Sequence, residues 1–104
     1  MNRMDIIREF EEKRDNIPYP DRPQRPINGR VTDEQNANWR EELKKYRKKV
    51  AEIDQQFKAA IFKFLRIELH PKANKLWYLA WQEGHANGYN EVFNYAEMFV
   101  ELIE

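Results

Sequence analysis

Apolar positions along the chain fall into three helical runs separated by proline. In the first, Met4, Ile7 and Phe10 recur at helical spacing with Ile6 beside them, which predicts a short amphipathic helix over residues 3–15. The second opens at Thr32, with Gln35 three residues on, a capping-box pattern. Behind it Trp39, Leu43, Tyr46, Val50, Ile53, Phe57, Ala60 and Phe64 step by four and three without a break. That is a heptad seam, and Ile61, Leu65 and Leu69 widen it near its end. Pro71 disfavours helix at the residue before it and suits the first position of the next. The pattern therefore predicts one helix over 33–69, a corner at His70-Pro71, and a third helix over 71–103. Each long helix would measure about 50 Å.

The third run carries two apolar rows. Trp81, His85, Gly88, Val92, Tyr95, Phe99 and Leu102 form a seam, and Tyr89, Phe93, Ala96, Val100 and Ile103 lie beside it. One partner helix covers one row only. The other requires the N-terminal helix, a second subunit or a target. Between the first two helices, residues 17–31 hold IPYPDRPQRPI and Asn28-Gly29. Alternating prolines forbid helix, so this stretch reads as an extended strap or, less simply, as a ligand for an aromatic-lined groove. The expected fold is all-α: one domain over 1–104, an antiparallel hairpin of two long helices, a short N-terminal helix and a Pro-rich extended strap.

Composition adds constraints. The chain is 41% hydrophobic and 35% charged, with three Trp, five Tyr and six Phe, enough bulk for a compact core. With no cysteine, disulfides, thiolate metal sites and thiol catalysis drop out. No segment approaches the ~20 apolar residues of a membrane span and none resembles a signal peptide, so a cytoplasmic protein is expected. Net charge is zero but unevenly spread: residues 76–104 hold five Glu and no Lys or Arg, and the basic excess sits mostly in 40–66. In an antiparallel hairpin, Glu97, Glu101 and Glu104 would lie beside Arg40, Lys44 and Lys48, offsetting charge placements that oppose the helix dipole. The same basic stretch is also a candidate nucleic-acid surface.

The densest chemistry is LWYLAWQEGHANGYNEVFNY, residues 76–95. Ala80, Gly84 and Gly88 recur every four residues. Glycine in a helix costs roughly 1 kcal/mol against alanine, so these two need a reason: close helix approach, a groove, or a local break. His85 lies between them and reads as a buried histidine bonded to Asp5, Glu9, Glu11, Gln55 or Gln56, or else as a binding group. It has no serine, cysteine or second histidine at catalytic spacing. Glu83 and Glu91 are too far apart in sequence to define an acid–base pair or a metal site. Trp77, Trp81, Gly84, His85, Gly88, Tyr89, Phe93 and Tyr95 form the candidate partner or ligand surface. No catalytic, cofactor-binding or metal-ligating residue is expected.

YPDRPQRP, the charged helix after it, and HPKANKLWYLAWQEGHANGYNEVFNY together resemble a family of small uncharacterised proteins of tailed bacteriophages. Its pattern is a YPxRPxxP arm, a charged central helix and an HPKAxxxWxxAWxxGHxxGYxEVxNY tail, and the similarity spans residues 19–103. It implies an accessory protein made in the host cytoplasm. The expected function is non-enzymatic binding and inhibition of a host protein, a host enzyme or an anti-phage defence component. The alternatives are a small-ligand binder, such as a nucleotide-signal sponge using Trp81, His85 and Tyr89, and a DNA-binding protein. A homodimer through Tyr89, Phe93 and Val100 is expected to cover the second apolar row.

Overall fold

A computed structural model describes residues 2–21, 23 and 29–103. The described residues contain helices and their connections and no strand: α1 (Arg3–Asp15), α2 (Asp33–Leu65), α3 (Ala73–Gly84), a 3₁₀ turn at His85–Asn87, and α4 (Tyr89–Ile103). Arg22 and Pro26 of the Pro-rich arm, and Asn28 of the expected turn, lie outside the described residues.

Two helix starts follow directly from local chemistry. Asn2 and Asp5 form a reciprocal capping box at α1. Thr32 accepts from the Gln35 amide at 3.1 Å and Gln35 accepts from the Thr32 amide at 3.0 Å, opening α2 as its sequence predicts.

The end of α2 departs from expectation. It stops at Leu65 rather than residue 69, several residues before Pro71. Arg66 turns left-handed at φ 58°, the Ile67 amide bonds the Phe62 carbonyl at 3.0 Å, and the Arg66 amide bonds that of Lys63. This is a Schellman termination with an arginine in the position glycine usually takes. Its compensation is apolar, because Ile67 and Phe62 are both buried in the core cluster.

The expected single helix over 71–103 is likewise not formed. It breaks at Gly84–Gly88, and α4 folds back antiparallel on α3. Gly84 lies against the backbone of Val92, while residues at the start of α3 share a groove with the last turns of α4. The hairpin in this protein is therefore α3–α4, with arms of about 18 and 23 Å, rather than two matched helices of about 50 Å. Consequently the charge pairing changes. Glu97 approaches Arg3 of α1 at 3.3 Å, an ion pair rather than an aligned hydrogen bond. Among the described residues, neither Glu97 nor Glu101 pairs with Arg40, Lys44 or Lys48, and Glu104 lies outside the described residues.

α1 runs antiparallel along both α2 and α4. Ile6 and Phe10 share a groove with Ala60 and Phe64 of α2, and the Arg3 and Arg14 guanidiniums sit 5.4 Å from the Phe93 and Tyr89 ring centroids. Past α1 the chain continues in the same direction along α2. Tyr19 sets its ring edge-on to Tyr46, centroids 5.0 Å apart, and the Trp39 indole donates to the Pro20 carbonyl at 3.4 Å. The molecule is long, 62 × 24 × 20 Å. Its radius of gyration of 18.0 Å exceeds the roughly 13 Å of a compact chain this size, because the N-terminal half of α2 projects from a helical head.

The head closes on Phe57, which is fully buried. Its ring stacks on Tyr89 at 4.2 Å and meets Phe10, Trp77 and Phe93 at 5.6, 6.2 and 6.3 Å, so it touches every other helix. Phe57→Ala should cost about 3–5 kcal/mol of unfolding free energy, measured by urea denaturation. A loss under about 1 kcal/mol would remove Phe57 from this central role.

Candidate functional site

The eight residues singled out in 76–95 divide between interior and surface. Trp77, Gly84, Tyr89 and Phe93 are buried; Trp81, Gly88 and Tyr95 are half-buried; His85 is exposed. They do not form one continuous face. The homodimer surface expected through Tyr89 and Phe93 is unavailable in this fold, since both are buried and side chains of α1 and α2 already meet both rings.

The two glycines have different reasons. A Cβ on Gly84 would stand 2.7 Å from the Val92 nitrogen and 2.8 Å from the Glu91 carbonyl carbon. Both are backbone atoms, so nothing soft can give way. Gly88 is instead in open space at φ 97° and ψ 177°, a region open to glycine alone, and it turns the chain into α4. Gly84 thus lets α4 approach α3, and Gly88 lets it turn back.

His85 is not the buried histidine the sequence suggested, nor does it bond any of the partners proposed for it. Its Nδ1 lies 2.7 Å from the Trp81 carbonyl of its own helix, and the ring stacks on Trp81 at 5.4 Å and 15°. Since a carbonyl only accepts, Nδ1 carries the proton in this contact. Glu91 is engaged with Asn94 at 3.4 Å. Among the described residues no group of three His, Asp or Glu could hold a metal ion.

The polar centre of the head involves residues sequence reasoning passed over. The Tyr89 hydroxyl donates to Asp54 at 2.5 Å, and Arg14 lies 3.8 Å from the same carboxylate. This links α4, α2 and α1 at the edge of the aromatic core. Beside it Glu11, Arg14, Asp15, Gly88 and Tyr89 line a cleft of about 280 Å³. Burial, then the hydrogen bond and charge of Asp54, hold the Tyr89 phenol well above the ordinary tyrosine range, with Arg14 opposing. The sequence holds only a faint signal: Asp54 stands directly after the seam residue Ile53 and three before Phe57, at the border of the apolar stripe.

The fold defines a small all-helical module in which half of these conspicuous residues are buried. The chain belongs to a family of unknown function, DUF8546, which it matches over residues 7–104. No curated protein and no solved structure matches it. Among the described residues, no helix is long and apolar enough to cross a membrane.

Two outcomes test this geometry. Gly84→Ala should destabilise the fold by about 1–3 kcal/mol by forcing α4 away from α3, read from the shift in denaturation midpoint. For Tyr89, the raised pKa means the fold favours the neutral phenol. That stability is fully present below an unfolded value of about 10 and is lost as pH rises above it. Tyr89→Phe should therefore lower neutral-pH stability by about 1–3 kcal/mol and flatten the alkaline fall in melting temperature. An unchanged alkaline slope would show that Tyr89 does not carry it.

Proposed function

We propose that the protein is a non-enzymatic accessory protein that binds a host protein through the open end of the α3–α4 hairpin and inhibits it. The observation that carries the reading is an apolar groove of about 220 Å³ formed by Leu76, Leu79, Phe99, Leu102 and Ile103, with Lys72 and Lys75 at its rim. Leu102 is 77% exposed and Leu79 39%. Leucine side chains left in water around a groove are characteristic of a docking surface. The two lysines favour an amphipathic helix whose apolar face fills the groove and whose carboxylates meet the rim.

The resemblance to tailed-phage proteins supplies the setting: a host enzyme or defence component as target, met in the host cytoplasm. In this reading the Pro-rich segment is a stiff strap that keeps α1 and α2 in register, supported by the Tyr19 and Pro20 contacts on α2. The nucleotide-sponge alternative has less support, because Tyr89 points into the core and leaves Trp81 and His85 without a third wall. A homodimer now has this groove as its available face.

The test is capture from bacterial lysate, followed by direct titration of the purified partner against wild type, Leu79→Ser/Leu102→Asp and Lys72→Glu/Lys75→Glu. Both variants should keep the wild-type melting profile, lose affinity by about tenfold or more, and relieve inhibition in proportion. Equal affinity for all three would sink the groove. Sedimentation equilibrium separates the dimer: a mass of 12.7 kDa leaves the groove open for a foreign partner, whereas a dimer broken by Leu102→Asp assigns it to a second copy.

A further inference from the structure

We propose that the exposed basic face of the projecting half of α2 is a binding site for the phosphate backbone of duplex DNA. It lies at the other end of the molecule from the α3–α4 groove and does not depend on that groove's role.

Arg40, Lys44, Arg47 and Lys48 are all exposed. Their i, i+4, i+7, i+8 spacing places them within an arc of about 100° over about 12 Å of helix. Residues 17–21 rest on another side of the helix, against Tyr46 and beside Lys45 and Lys49, away from this arc. Among the described residues none of the four forms an ion pair. The acidic helix that a long hairpin would have laid beside them is folded back onto α3, where Glu97 meets Arg3.

Like charges one turn apart on a helix repel; Glu41 and Glu52 border the arc and offset part of that repulsion, but two carboxylates beside four cations leave the row positive. The acidic C-terminal third does not cancel it either. Measured along the axis from Asp54 at the edge of the head, Lys44 is about 15 Å and Arg40 about 21 Å away. Both distances exceed a Debye length of about 8–10 Å. A net-neutral chain therefore presents a local positive row. A regularly charged polyanion matches a row repeating with the helical turn, and the exposed side of an α-helix is what the major groove admits. The contacts are to phosphate, so binding is sequence-tolerant.

The test is fluorescence anisotropy of a labelled DNA duplex with the full-length protein across a salt series. Four phosphate contacts predict a slope of log K against log salt of about −3.6, a loss of about a hundredfold between about 50 and 200 mM. Arg40→Gln/Lys44→Gln/Arg47→Gln/Lys48→Gln should lose affinity by about tenfold or more with an unchanged melting temperature. Lys45→Gln/Lys49→Gln, on the strap side, should lose less than about threefold. No wild-type binding at about 100 μM protein in low salt, near the weak limit of non-specific association, overturns the proposal. So does an equal loss per charge removed on both faces, or tighter binding to single strands. Salt-sensitive self-association without DNA, abolished by the quadruple variant, also overturns it and assigns the face to the acidic helix of a second copy.

Discussion

The stack of Phe57 on Tyr89 organises the head. The ring sits in the C-terminal half of α2 and touches one aromatic from α1, one from α3 and two from α4. Few apolar side chains have the area to meet three helices at once, and the offset and edge-on geometries add to simple burial. Tyr89 contributes twice. Its face packs on Phe57 and its hydroxyl reaches Asp54, so a polar atom entering the core finds a charged acceptor. Arg14 then closes over both, with its guanidinium near the carboxylate and 5.4 Å from the ring centroid. The first helix is held at its two ends by arginines over α4 rings, Arg3 at Phe93 and Arg14 at Tyr89.

Tyr89 can face Phe57 in this way because α4 returns along α3. In one continuous helix over 71–103, a single partner helix would cover only one of the two apolar rows. The break at Gly84–Gly88 shortens the run and stacks its halves, and the buried small residues Ala73, Ala80 and Ala96 suit close approach. Packing then decides electrostatics. Folding α4 back removes its carboxylates from the basic half of α2 and delivers Glu97 to Arg3. A net charge of zero conceals a basic arm and an acidic hairpin that do not neutralise each other.

Much of this was legible in the sequence, and the failures have identifiable causes. Both ends of α1 and the Thr32–Gln35 start of α2 follow from local patterns that tertiary contacts do not override. Phe57 was readable as a seam residue, though not as the hub. The end of α2 was misread because Pro71 looked like the stop signal. Burial of Ile67 and Phe62 instead holds Arg66 in a left-handed conformation that β-propensity and proline rules do not anticipate. The break in the last helix was one of three readings of its glycines. Choosing among them required knowing that a Cβ on Gly84 would strike the Val92 backbone. The candidate surface fared worst, since periodicity identifies an apolar or aromatic row but not what covers it. Trp77, Tyr89 and Phe93 are core; His85, expected inside, is outside.

The elongated shape separates two kinds of surface that a compact fold would merge. Residues 17–21 do on one side of the projecting half of α2 what a helix does in the head. They cover Trp39 and Tyr46 with little mass and leave the opposite flank open. Covering that apolar row with a second helix would have brought more side chains, and in this chain the available helix is acidic. Residues 17–21 meet that row at Trp39 and Tyr46, on a side of α2 away from Arg40 and Lys44. At the far end, the α3–α4 hairpin opens at its termini, where Leu102 and Leu79 meet solvent between two lysines. Residues 17–21 against α2 and a glycine-turned hairpin thus have one physical outcome: each covers an apolar row of its neighbour and leaves a chemically distinct face exposed, one cationic and one apolar.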